Sequence, residues 1–469
     1  MFLLLVIAYS FSVPLRATRN ASITGDEPFY LLTTQSLLQD GDLDLRSQYA
    51  SQSYREFFDY RGELWQQSVP TSSGAILSPH EPGTSLLVLP GFSLWGLHGA
   101  QWTMLLVTAT TFAATYLLVA LETKAALLSW LVTAVVALGA ISFVYSTEIY
   151  PEVPGALCII LSLLLLRSGR RDTVAAVVLL LLLTLLAWFG IKYVFLGGLL
   201  ALHFIWQAQW SARRWFLALS AVSGAAYVGL HLAIFEHLVP YSVNTVYEGA
   251  GSVSVLEQHL SFGDRAYRLY GLFLDVRFGV GRWVPLFLLI LPALPLLLNK
   301  GRVGLTVSAL ILTQLLIATF LAITMMGYWF PGRTLMTILP LFALVLTNLL
   351  LRLPKPVWML PALLSLASLA TTLSLYRAVH DGPWRLAVDP FAMKASLFHW
   401  AQRLYPDYRF WDDFTLRATL IWLALLVVSG TWLAWREYGA TLRGAMTHPR
   451  QTISLAVLRL RASASTGPL

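Results

Sequence analysis

Apolar stretches long enough to cross a lipid bilayer recur along this chain, and no other feature limits its fold as much. A hydrocarbon core takes about 20 apolar residues of helix to cross. The runs lie at roughly 2–15, 101–121, 125–146, 154–166, 174–190, 193–207, 216–236, 283–298, 303–325, 334–351, 356–376 and 418–435. Only 12% of the residues are charged and 57% are hydrophobic, against about 25% charged in soluble domains. The chain therefore reads as all-α: a polytopic membrane protein of about twelve transmembrane helices. Residues 83–98 are apolar but short and carry Pro90, Gly91 and Gly96, which suggests a helix packed at the membrane edge. The first run lacks a basic leader and a small-residue cleavage site, so it reads as a retained helix. Cys158 stands alone within an apolar run, which excludes an internal disulfide and a cysteine metal cluster.

Charge orients the spans. With the N-terminus inside, the cytoplasmic segments and tail hold 15 basic residues, among them Lys124, Arg167, Arg213, Lys300 and Arg352. Only three acids, Glu122, Asp172 and Glu437, accompany them, while 17 basic residues and 21 acids fall elsewhere. This is the positive-inside pattern. It implies a multi-pass protein of the inner (plasma) membrane with both termini cytoplasmic. The net charge of +8 is spread over many loops, which argues against nucleic acid as a partner. Nearly all non-membrane mass is outside: loop 16–100, with candidate surface helices near 28–39 and 51–60, then 147–153, 237–282 and 377–417. No cytoplasmic segment is large enough for a nucleotide-binding domain, and no glycine-rich phosphate loop follows a strand. An enzyme of this layout works on the outer face, and its activated substrate arrives in the membrane.

The candidate chemistry gathers on that face. Asp26 and Glu27, in Thr24-Gly25-Asp26-Glu27-Pro28, are paired carboxylates just past the first span. Pro28 suits a first helical turn, and Thr24 and Glu27 have capping-box spacing. An ionised acid near a helix N-terminus suits a general base for a hydroxyl; a capped surface helix with two solvated acids explains the stretch too. Glu148 and Glu152 follow the third span, bracketed by Pro151 and Pro154. Acids at a membrane edge are costly unless used or paired. His80 and Glu81 precede the edge helix and could position an acceptor or order the loop. Lys192 falls between two apolar runs, about 27 Å up a helix counted from Val174 at 1.5 Å per residue; it either snorkels or meets a phosphate. Arg333, opening a later span, has a fork suited to phosphate or to an ion pair. Arg268 and Tyr270 lie on an outer amphipathic stretch where a second phosphate ligand, or a salt bridge to Asp275, is possible. The acids of Asp40-Gly41-Asp42-Leu43-Asp44 could bind a divalent cation, but a turn and helix cap explain them equally. No metal or other cofactor is assigned.

The order of these pieces resembles the GT-C superfamily of membrane glycosyltransferases, in particular the branch with protein O-mannosyltransferases and the aminoarabinose–lipid A transferase. Asp26-Glu27 match that family's Asp-Glu pair after the first span. His80-Glu81-Pro82-Gly83 approximates its His-Pro-Pro motif, with Glu replacing a proline. Glu152-Val153-Pro154 matches its acid-Pro motif loosely, Lys192 its lysine motif without the usual Gly-Pro, and Gly332-Arg333 its Gly-x-Arg motif loosely.

The resemblance covers most of residues 1–340 and implies a GT-C-like catalytic module, taken as 1–376 including outer loop 16–100; hydropathy and charge add an outer loop and last span over 377–435 and a basic cytoplasmic tail over 436–469. The resemblance also implies inverting transfer of a hexosyl or pentosyl group from a polyprenyl-phosphate donor to a hydroxyl of a lipid, glycan or protein acceptor. Asp26 would be the base, Glu27 its catalytic neighbour, and Lys192, Arg333 and Arg268 the phosphate-binding cations. His80, Glu81, Glu148, Glu152 and Tyr270 would hold acceptor or sugar, and membrane lipid would surround the prenyl tail. A secondary transporter would place ionisable residues near mid-membrane on broken helices in repeated halves, a pattern absent from this sequence. A non-catalytic scaffold of envelope assembly is the other alternative.

Overall fold

A computed structural model describes residues 1–247, 262–327, 329–387 and 393–447. Tyr328, parts of the expected outer loops 237–282 and 377–417, and residues 448–469 of the expected basic tail lie outside the described residues. Those described form helices and loops, with a single isolated antiparallel bridge between Ser68 and Asn244.

The first half runs α1 (Phe2–Ser10), α2 (Glu27–Gln39), α3 (Arg46–Ser51), α4 (Gly83–Thr123), α5 (Ala126–Leu138), α6 (Ala140–Val144), α7 (Glu152–Arg167), α8 (Thr173–Phe189), α9 (Val194–Gln207) and α10 (Trp210–Phe235). The second half continues through Gly301–Leu316, Phe342–Arg352 and Met359–His380 to a last helix, Asp413–Thr447. Among the described residues, five helices are long and apolar enough to cross a membrane: Gly83–Thr123, Trp210–Val243, Pro285–Leu321, Lys355–His380 and Asp413–Gly439. Shorter apolar helices cover Ala126–Leu138, Thr173–Phe189, Ile191–Gln207 and Leu339–Arg352. Their outer faces carry exposed Leu127, Val222, Leu366 and Val428, an apolar surface that a bilayer would cover.

These helices do not add up to twelve uninterrupted spans, and the reasons are local. Residues 125–146 break at Gly139, whose backbone is extended. Residues 283–298 alternate short 3-10 and α turns around Pro285, Pro292 and Pro295, because proline removes a donor and clashes one turn back. The run 334–351 is regular only from Phe342, after Pro340. The first run is helical over Phe2–Ser10 alone.

α4 joins the expected edge helix to the span that follows. It bends sharply at Trp95 and Gly96, where Gly96 has φ 56°. The two arms fold back so closely that a Cβ on Gly99 would lie 1.8 Å from the Gly91 carbonyl oxygen. Only glycine permits that approach.

Charged residues collect at the two ends of these helices. At one end Arg167 pairs with Glu122 at 2.7 Å, and Arg352 pairs with Glu437. At the other end the turn before α2, the start of α4, the start of α7, the α8–α9 break and the turn at Arg333 converge.

Candidate active site

Each element brings one functional side chain to that second end. α2 begins at Glu27, with Pro28 in its first turn. Asp26 occupies the N-cap position but makes no side-chain cap, so its carboxylate is free to turn elsewhere. The expected capping box forms by half: Glu27 Oε2 accepts the Thr24 N–H at 2.9 Å, and Oε1 accepts the Ile149 N–H at 3.0 Å. Glu27 thereby ties loop 16–100 to the turn before α7.

Arg333 organises the acids. Its Nη1 lies 2.8 Å from Asp26 Oδ2, and its Nε lies 3.3 Å from Glu152 Oε1. The guanidinium stands 3.9 Å over the Tyr150 ring and 5.0 Å from that of Trp329. Gly332, at φ +86°, sets the turn that aims it; a Cβ there would also meet Ile141 at 2.9 Å. Lys192 Nζ donates to the same Glu152 oxygen at 3.0 Å. The lysine does not continue a long α8, as counting from Val174 expects. α8 ends at Phe189, and Lys192 lies in a 3-10 turn, Ile191–Tyr193.

His80 completes the front of the cluster. Its Nε2 is 3.7 Å from Asp26 Oδ1 and 3.1 Å from Gln67 Oε1. Its ring packs on Tyr30 at 4.9 Å between centroids.

Accessibility divides the cluster in two. The Asp26 side chain is 18% exposed and that of Lys192 30%, whereas Glu152 is 1% exposed. Glu27 and Glu148 are buried as well. Asp26 and Lys192 are thus the more accessible members of the cluster, and the other acids lie deeper. The buried Oε2 atoms of Glu148 and Glu152 have no hydrogen-bond partner.

The electrostatics follow. Burial opposes ionisation of Asp26, but the Arg333 guanidinium and His80 outweigh it and hold its carboxyl down at about 2. Burial pushes Glu27 up to about 7 despite its two backbone donors. Glu148 is raised too, by burial and by the facing Glu27 carboxylate. Burial keeps His80 below its ordinary value, against the pull of Asp26. The site thus joins one ionised, accessible acid to two cations and keeps two buried acids predisposed to hold protons.

Other candidates fall outside this network. Glu81 turns away from Asp26: its Oε2 is 2.8 Å from His231 Nε2, and Tyr227 donates to Oε1. It pins the loop carrying His80 to α10. No hydrogen bond or ion pair joins Arg268 or Tyr270 to Asp26, Arg333 or Glu152. Tyr270 packs against Tyr408 at 5.7 Å, and Asp275 accepts backbone N–H groups of Arg277, Phe278 and Tyr408. The acids around Gly41 bond Ser36, Ser47, Gln48 and Arg46. Gln67, Tyr150 and Trp329 belong to the site unanticipated. Tyr150 lies inside the Glu148–Glu152 motif and could have been named; one amide in a polar loop carries no such signal.

No protein-family profile and no curated protein matches the chain. Among solved structures, the chain is similar to ArnT from Cupriavidus metallidurans. In the apo state that protein aligns with 96% of this chain and 78% of its own, at 13% identity and a TM-score of 0.48. Bound to undecaprenyl phosphate, it aligns with 96% of this chain and 79% of its own, at 13% identity and a TM-score of 0.44. ArnT is thus a distant likeness in helix arrangement, and the functional reading rests on the side chains above.

Proposed function

We propose that the chain is an integral membrane glycosyltransferase acting at the end of the bundle where Asp26 lies, with a polyprenyl-phosphate-linked sugar as donor and a hydroxyl as acceptor. The observation that carries this is the pairing of an open, ionised Asp26 with an open Lys192, bridged from behind by Arg333 and Glu152. A base for the incoming hydroxyl and a cation for a departing phosphate thereby stand on two sides of one cluster.

The step follows from those roles. The acceptor oxygen attacks the anomeric carbon while its proton passes to Asp26. The bond from that carbon to the phosphate oxygen breaks, and its electron pair leaves on the prenyl phosphate. Attack opposite the leaving group inverts the anomeric configuration. A base of this kind contributes about 10²–10⁴-fold. The leaving phosphate needs positive charge and no general acid. Lys192, the more exposed cation, is the first phosphate contact. Arg333 holds the acids in register. At about 2, the Asp26 carboxylate is a weak base while Arg333 grips it; a donor phosphate competing for Arg333 loosens that grip and makes Asp26 more basic. His80 and Gln67 orient the attacking group at Asp26.

The test is a reconstituted assay. Purified protein in liposomes is given polyprenyl-phosphate hexoses and pentoses, and sugar release to an acceptor lipid or glycan fraction is followed. Wild-type protein should release prenyl phosphate, and Asp26→Asn should cut kcat at least 10²-fold while still binding prenyl phosphate. Equal turnover by Asp26→Asn would end the proposal.

A further inference from the structure

Beside the Asp26 cluster, the first outer loop holds a separate cleft of about 510 Å³, within the range of small-molecule sites. Tyr49, Gln52, Glu63, Trp65 and Gln66 line it. Trp65 is 52% exposed, so much of its indole is open to a ligand. Glu63, Gln52 and Gln66 are exposed as well. Gln66 spends its amide nitrogen on the Ser68 carbonyl at 2.7 Å, which leaves its oxygen as an acceptor. Glu63 makes no ion pair among the described residues.

This set of groups suits one ligand chemistry. An indole face is electron-rich and binds an apolar ring face carrying C–H groups. Carboxylate and amide oxygens around it accept hydroxyl hydrogens. A pyranose or furanose ring offers both: a C–H face and a rim of hydroxyls. An anionic headgroup would meet Glu63 with no cation lining the cleft, and an acyl chain would strand the amides and the carboxylate without partners.

The cleft is also tied to the site. Trp65 packs edge-on against Phe29 at 5.3 Å, and Phe29 lies in the first turn of α2 beside Asp26 and Glu27. Two residues beyond Trp65, Gln67 touches His80. Two residues of chain reach at most about 7 Å, so linked sugars could touch both Trp65 and the Asp26 region. We infer that the Trp65 cleft is a saccharide subsite, and that the acceptor of this enzyme is a glycan whose sugar beyond the attacking unit stacks on Trp65. The assignment of that sugar to the acceptor rests on the transferase reading above; saccharide binding by the cleft does not.

The experiment separates the two. Detergent-solubilised full-length protein is titrated with tetrasaccharides of mannose, glucose, galactose and arabinose, and binding is read by saturation-transfer NMR. Wild-type protein and Asp26→Asn should bind the same member of the panel. Trp65→Ala should weaken it at least tenfold, Glu63→Gln several-fold, and Trp65→Phe should restore much of the loss. Trp65 and Glu63 are exposed, so these variants should keep the wild-type unfolding midpoint, which is measured alongside. No binding to wild-type protein, or equal binding by Trp65→Ala, overturns the inference. So does a Trp65→Ala loss confined to association with sugar-free phospholipid vesicles, which would make Trp65 a membrane anchor. Failure of the transferase reading shows separately, as undiminished sugar transfer by Asp26→Asn.

Discussion

Arg333 reaches Asp26 with Nη1 2.8 Å from Oδ2 and, on its other edge, holds Glu152 against Lys192. One guanidinium thus fixes two acids that come from different loops. Its side chain is only 9% exposed, so removing it leaves uncompensated charge in a dry place.

Arg333→Met should therefore lower stability by about 3–5 kcal/mol, the range for breaking a buried pair. Arg333→Lys keeps the charge but loses the fork and should recover part of this. Adding Asp26→Asn to Arg333→Met should return some stability, because the stranded acid is neutralised. Thermal unfolding of the two single variants and the double variant measures the coupling. Strict additivity would show that Asp26 and Arg333 do not interact in the folded protein.

Glu27 sets a pH dependence. Its folded carboxyl is raised from 4.5 to about 7, chiefly by burial. A raised acid contributes stability that is whole below its unfolded value and is lost as pH climbs through its folded value. The unfolding midpoint should fall between pH 4.5 and about 7, by the equivalent of roughly 3 kcal/mol. Asp26 acts oppositely, but its window lies between its unfolded 3.8 and about 2, below the range tested. Glu148, raised by burial and by Glu27, adds to this fall, and His80, lowered by burial, opposes it; Glu27→Gln should therefore make the curve shallower, as scanning fluorimetry at a series of pH values would show.

Much of the cluster is legible in the sequence because charge at a membrane edge demands a partner. Asp26, Glu152, Lys192 and Arg333 are each costly alone, and each lies next to an apolar run; the structure joins them to one another. Glu81 is as costly by the same logic, but its partners are His231 and Tyr227 on α10. Adjacency to His80 does not reveal that the two side chains diverge. Arg268 and Tyr270 stand apart from the Asp26 cluster for a related reason: an amphipathic stretch shows which face is polar, not which cavity it borders. The spans are legible as apolar runs, and their interruptions at Gly139, Pro285, Pro292 and Pro340 are legible as helix breakers. What periodicity cannot show is where the chain resumes as a helix, since packing decides that.

Lys192 offers a cleaner probe of the donor than Arg333. It is 30% exposed, and Glu152 keeps Arg333 when Lys192 is lost. Lys192→Met should change stability by less than about 1 kcal/mol, the usual scale of a partly exposed pair. A charge-assisted contact to phosphate is worth about 1.5–3 kcal/mol. The KM for the prenyl-phosphate sugar should then rise about tenfold or more, with acceptor KM unchanged. A change in acceptor KM alone would move Lys192 to the other side of the reaction.

Glu81 is expected to act through His80 and not on a substrate. His231 donates Nδ1–H to the Tyr227 carbonyl at 2.8 Å and meets Glu81 Oε2 with Nε2 at the same distance; its ring stacks on Tyr227 with centroids 3.9 Å apart. Glu81→Ala leaves the buried His231 Nε2 and the Tyr227 hydroxyl without their partner, which costs about 1–3 kcal/mol. It also frees the loop that presents His80, so kcat should fall about tenfold, less than for Asp26→Asn. Glu81→Gln, which keeps an acceptor for Tyr227, should restore most of both losses. Because Glu81 lies behind the loop, acceptor KM should move less than kcat in either variant. Steady-state kinetics at saturating donor decides the matter: a Glu81→Gln enzyme whose acceptor KM rises steeply at unchanged kcat would place this carboxylate on the acceptor itself.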